Sequence, residues 1–111
     1  MTHAWHAAAM GCATLTALAA LAAWPGMARA ADIAAGRAKA VQCQACHGLD
    51  GIAKIPEAPN LAGQNEDYLL KALKDFKSGE RKNDMMSLMV KPLSDTDIAN
   101  LAAFYHSLGQ K

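Results

Sequence analysis

Cys43-Gln44-Ala45-Cys46-His47 is the stretch on which the reading of this 111-residue chain turns. Two cysteines separated by two residues and followed at once by a histidine have the spacing of a c-type haem attachment site. Each thiol adds to one haem vinyl group while the imidazole turns to the iron. Residues three apart on the last turn of a helix project to one side, so Cys43 and Cys46 reach one flat macrocycle and His47 comes up beneath the metal. Three other uses of the cysteines compete. A redox dithiol of the thioredoxin kind belongs at a strand-to-helix junction, and no alternating β-branched run lies nearby. Structural zinc needs four ligands, yet past residue 30 the soft or imidazole donors are only Cys43, Cys46, His47 and His106. A plain disulfide leaves His47 without a task. Five residues are a short motif, so the rest of the chain must agree with it.

The length allows one small domain, and the first thirty residues read as a removable leader. From Ala7 to Ala23 the chain is almost wholly apolar or small. Trp24-Pro25-Gly26-Met27 then breaks it, and Ala28-Arg29-Ala30 supplies an A-x-A cleavage site. The rival reading is an uncleaved anchor, since no Lys or Arg precedes the apolar run; the run is short for a span and rich in alanine, a poor membrane residue. Cys12 has most of the apolar run after it, the wrong order for a lipoprotein. Cleavage after Ala30 leaves a domain of residues 31–111 that has lost Arg29, so ten basic residues balance ten acidic ones. No basic stripe suggests nucleic acid, and no stable membrane span remains. Trp5 and Trp24 also depart, leaving Tyr68, Phe76, Phe104 and Tyr105 as the aromatics. A domain that small and that poor in large apolar residues is short of core, a deficit usually made good by a metal, disulfides or a cofactor.

Along the domain, Asp32 caps a helix expected to run through about Cys46. Gly36 inside it costs roughly 1 kcal/mol relative to alanine; close approach of a second helix explains it better than a tolerated surface glycine. Gly48-Leu49-Asp50-Gly51 ends the helix. Residues 52–64, with Pro56, Pro59 and Gly63, lack periodicity and read as an irregular loop, a length that usually has a task, here wrapping one edge of the haem. Asn65 caps a helix with Glu66 and Asp67 in its first turn, an apolar stripe of Leu69, Leu73 and Phe76, and a stop at Gly79. Lys71, Lys74 and Lys77 face water. Met85, Met86 and Met89 crowd one apolar stretch, either filling core gaps or offering the iron a sixth ligand whose thioether raises the potential of a carrier. Ser94 and Asp97 open the last helix as a short capping box, with Ile98, Leu101, Tyr105 and Leu108 as the buried stripe and Gly109 as the stop. His106 beside that stripe reads as a surface histidine rather than a ligand. One attachment motif implies one haem.

These residues resemble the small bacterial class I cytochromes c, most nearly one half of a two-haem cytochrome of the c4 type. The likeness rests on Gly36, Cys43 to Gly48, Asp50-Gly51, Pro59 to Gln64, Tyr68-Leu69, Leu73 to Gly79, Met86 to Met89, Pro92 to Asp95 and Ala102 to Tyr105. It implies an all-α fold of three to four helices around one covalently bound haem c and its iron. It also implies that the first and last helices cross at Gly36, near Leu101 to Tyr105. In this family the axial methionine stands seven residues before the leucine that precedes the Ser-Asp cap, which gives Met86, and a proline carbonyl holds the axial histidine, a position matched by Pro59. Haem attachment in such families is completed outside the bacterial inner membrane, which suits an exported chain.

The expected function is therefore that of a periplasmic electron-transfer protein rather than an enzyme. It would dock briefly with redox partner proteins, a flavoprotein or terminal oxidase among them. Local patches that include Lys54, Lys82 or Lys91 would serve the docking rather than whole-molecule steering. The alternative is the cytochrome subunit of a flavocytochrome-type sulfide dehydrogenase. A third reading is haem-based ligand binding or peroxidase chemistry with Met86 displaced.

Overall fold

Five helical segments make up the described part of the chain: α1 (Ile33–Ala40), α2 (Gln44–His47), α3 (Glu66–Ser78), α4 (Asp84–Met89) and α5 (Asp95–Ser107). The computed structural model describes residues 1–2 and 30–109; the leader expected over residues 1–30, with Cys12, lies but for its ends outside them. Among the described residues no helix is long and apolar enough to cross a membrane. The all-α expectation holds, with more and shorter helices than three to four.

The excess has two sources. A single helix from Asp32 through Cys46 is not what forms, because the ladder tightens after Ala40: the amides of Gln42 and Cys43 reach back only three residues, to the carbonyls of Lys39 and Ala40. That tight turn redirects the chain. It resumes as α2, where His47 donates to the Cys43 carbonyl at 3.0 Å. The second source is α4, which Asn83 caps by accepting from the Met86 amide at 2.9 Å.

The caps read from sequence are in place. Asp32 accepts from Ala35 N at 3.0 Å, Asn65 from Tyr68 N at 2.9 Å, and Ser94 and Asp97 each accept from the other's backbone amide at 3.0 Å. The Ser94 amide, then the hydroxyl of Ser94 and the ammonium of Lys39, hold the Asp97 carboxyl below its ordinary range. Ser94→Ala should lower stability by about 1 kcal/mol, read as a melting temperature about 4–8 °C lower. Because the folded pKa of Asp97 is depressed, its contribution is full above the unfolded carboxylate pKa and fades as pH falls through the lower folded value. Asp97→Asn should therefore flatten the acid limb of a stability–pH curve.

α5 is the centre of the fold. Ile98, Asn100, Leu101, Ala102, Ala103, Phe104 and Tyr105 are all buried, so the covered face is wider than the expected stripe, whose last member, Leu108, is only half-buried. α1 crosses it, α3 packs on it, and α4 meets α3. At the crossing, a Cβ on Gly36 would lie 2.0 Å from the Asn100 carbonyl oxygen and 2.8 Å from Phe104 Cβ. Glycine is there because backbone meets backbone. Asn100, buried and polar, uses its side-chain oxygen to accept from the Asp32 amide at 2.7 Å, tying the start of α1 to the middle of α5. Lys77 donates to the Leu93 carbonyl, joining α3 to the segment before α5.

Candidate haem site

Residues 42–48 deliver the attachment motif to one wall of a cleft of ≈ 510 Å³ whose lining includes Cys43, Cys46, His47, Pro59, Met86 and Tyr105. Gly48 closes α2 with φ 73°, a conformation that glycine adopts without strain. The turn it makes lets Lys54 N donate to the Cys46 carbonyl at 2.8 Å. No disulfide joins Cys43 and Cys46. Burial, outweighing a hydrogen bond with Tyr105, pushes the Cys43 thiol up. A reactive dithiol needs the opposite shift. Nor does any set of three or more His, Cys, Asp or Glu side chains among the described residues converge as a metal-binding group. Neither the dithiol nor the zinc reading gains support from these residues.

His47 is only 8% exposed. Its Nδ1 donates to the Pro59 carbonyl at 2.9 Å, which commits the opposite ring nitrogen to the acceptor role and fixes the ring. Residues 52–64 are irregular but firmly held. Leu61 N and Ala62 N donate to the Gly51 carbonyl at 2.8 and 3.0 Å, Ala53 N to Asn60 Oδ1 at 2.7 Å, and Gly63 N to the Tyr105 carbonyl at 2.9 Å. His106 is half-buried and donates from Nδ1 to the Gln64 carbonyl at 2.8 Å; it lies outside the cleft and pins the loop's end to α5. Lys54 pairs with Asp50 at 3.2 Å, so its charge is partly spent, whereas Lys82 lines the cleft.

The cleft also explains an incomplete core. Leu69 of the α3 stripe is buried, but Leu73 and Phe76 remain partly exposed because they face the cleft. Met85, Met86 and Met89 all line it; Met85 is 60% exposed, and among the three Met86 packs on the buried cluster. Apolar walls, two thiols, an oriented imidazole and nearby thioethers fit a covalently held haem. Sequence reasoning treated Tyr105 only as core. Its hydroxyl sits 3.5 Å from the Gly48 carbonyl, and burial, then the neighbouring Cys43, raises its pKa well above the phenolic range.

The profile of the Cytochrome c family matches residues 33–109, nearly the whole described domain. The chain is a member of the cytochrome c family. As a member of this electron-transfer family it has covalently bound haem c, with its iron, as cofactor. It is 51% identical to cytochrome c4 of Pseudomonas aeruginosa over 83 residues, which cover 74% of this chain and 41% of that protein. The chain thus spans less than half the length of that relative. With cytochrome c-554(548) of Halomonas halodenitrificans it shares 46% identity over 70% of this chain and 98% of the other. The thiosulfate dehydrogenase electron acceptor of Thiomonas intermedia is 44% identical over 70% of this chain and 36% of its own. Among solved structures, reduced recombinant cytochrome c4 from Pseudomonas stutzeri superposes with a TM-score of 0.66 at 45% identity, over 70% of this chain and 46% of that one.

Proposed function

We propose that this cytochrome c carries single electrons in the periplasm on one haem bound to Cys43 and Cys46, with His47 and Met86 as axial ligands. The observation that carries this reading is His47 itself, buried beside both thiols with its Nδ1 spent on the Pro59 carbonyl. That bond strengthens the ring as a ligand and holds its plane. When bound, the haem supplies the one-electron chemistry. The chain supplies a fixed ligand set, an apolar pocket and a rim open to partners. Met86→Ala should abolish the weak sulfur-to-iron band at the red end of the ferric spectrum and lower the potential. If Met85→Ala or Met89→Ala does so while Met86→Ala does not, the ligand is misassigned. The A-x-A site at Ala28–Ala30 supports export with removal of residues 1–30, which intact mass measures.

A thiosulfate-oxidising enzyme is the partner class that the Thiomonas relative favours. Such an enzyme, with thiosulfate, would then reduce this protein, and the two would associate briefly rather than co-purify. A stable complex containing flavin would instead favour the sulfide dehydrogenase subunit. Exposed Tyr68, Ile55 and Met85 at the cleft, with Leu88 61% exposed on the same helix as Met85, supply the apolar part of a small docking surface.

A further inference from the structure

Arg81 follows α3 after the Gly79 turn and is exposed, yet it is not left to wander. Its backbone amide donates to the Asp75 carbonyl at 3.0 Å. Its guanidinium lies over the Phe76 ring, 4.6 Å from the centroid, a contact that orders both groups. Nη1 reaches the Tyr68 hydroxyl at 3.5 Å. Arg81, Phe76 and Tyr68 all line the cleft that holds Cys43 and Cys46.

A positioned arginine normally serves a carboxylate. Among the described residues the ion pairs are Lys39–Asp97, Lys54–Asp50 and Lys71–Asp75, none of which engages Arg81. The cleft lining carries one acidic residue, Glu57, against Arg81 and Lys82. The guanidinium fork presents five N–H donors in a fixed plane, of which one reaches the Tyr68 hydroxyl. A planar, stacked and unpaired fork at the rim of a cofactor cleft suits an anionic group on the cofactor's edge better than bulk water, and haem carries two peripheral carboxylates.

We propose that Arg81, with the Tyr68 hydroxyl beside it, binds a carboxylate of the haem. This rests on the reading that haem occupies this cleft. The pair would offer charge-assisted hydrogen bonds from the rim. Arg81 would also hold a positive charge near the macrocycle, favouring the reduced state of the iron. Lys82, the adjacent cation, has none of these contacts and serves as the internal comparison.

The test uses purified holoprotein in four forms: wild type, Arg81→Gln, Arg81→Lys and Lys82→Gln. Resonance Raman scattering in the propionate-bending region reports the carboxylate directly, and a redox titration at fixed pH reports the charge. Arg81→Gln should move the propionate mode and lower the midpoint potential further than Lys82→Gln does. Lys82→Gln should leave the mode in place, and Arg81→Lys should keep most of the potential while still moving the mode. If Arg81→Gln fails to assemble, Arg81→Lys alone decides, since it retains the charge and loses the fork. An unmoved mode in Arg81→Lys, or equal potential shifts in Arg81→Gln and Lys82→Gln, overturns the proposal. A wild-type protein whose haem is removed by acid–acetone would defeat the site reading itself, an outcome distinct from either.

Discussion

Replacing Cys43 and Cys46 together with alanine should leave a protein from which acid–acetone strips all colour, whereas the wild type keeps it. Intact mass should fall by the haem in addition to the two sulfurs. The physical reason goes beyond the lost thioethers. Among the described residues the buried hydrophobics number ten, three of them alanine, and the large side chains Leu73 and Phe76 are only partly buried, lining the cleft as well as packing on the core. An apolar plate would cover them, and a domain this small has little to spare. Without covalent retention, the double variant should also lose helical circular dichroism at temperatures where the wild type is folded. Colour that survives acid–acetone in the double variant would refute the attachment site; full helicity without haem would refute the claim that the core depends on it.

Gly36→Ala is the second large effect, and its sign separates two accounts of one residue. Were Gly36 a tolerated surface glycine, alanine would stabilise α1 by roughly 1 kcal/mol. The structure places the new Cβ 2.0 Å from the Asn100 carbonyl oxygen and 2.6 Å from its carbon, both backbone atoms of α5 that cannot rotate aside. The helices must separate, and overpacking of that kind costs about 1–3 kcal/mol or more. A net destabilisation of about 2 kcal/mol lowers the melting temperature of a domain this size by about 8–16 °C. Thermal unfolding followed at 222 nm measures it. A melting temperature that rises instead would mean that the helices do not cross at Gly36.

Which features could be read from residues alone follows from how local their causes are. Asp32, Asn65 and Ser94 each act on an amide three positions away, so the side chain announces the helix start. The attachment motif is local too, and Gly36 signalled a crossing because a mid-helix glycine needs a reason. The break after Ala40 gave no such sign: an alanine-rich stretch suits a continuous helix, and the turn is set by where the loop and α5 require Cys43 to sit. Asn83 before Asp84 was a cap signal of the same type as the others, obscured by the methionines that followed. Distant pairings such as Tyr105 with Gly48, or His106 with Gln64, join residues 57 and 42 positions apart and leave no periodic trace. Arg81 over Phe76 is close in sequence, but the Gly79 turn between them breaks the helical spacing that would have paired them.

The knot between Asp32 and Asn100 has a bearing on biosynthesis. It joins positions 68 apart, the first helix to the last, and the chain-length part of closing such a loop is about 4 kcal/mol. A polypeptide made from its amino end therefore has nothing for α1 to dock on until the final helix has emerged. Vectorial synthesis thus leaves Cys43 and Cys46 accessible until the last thirteen-residue helix seals the fold.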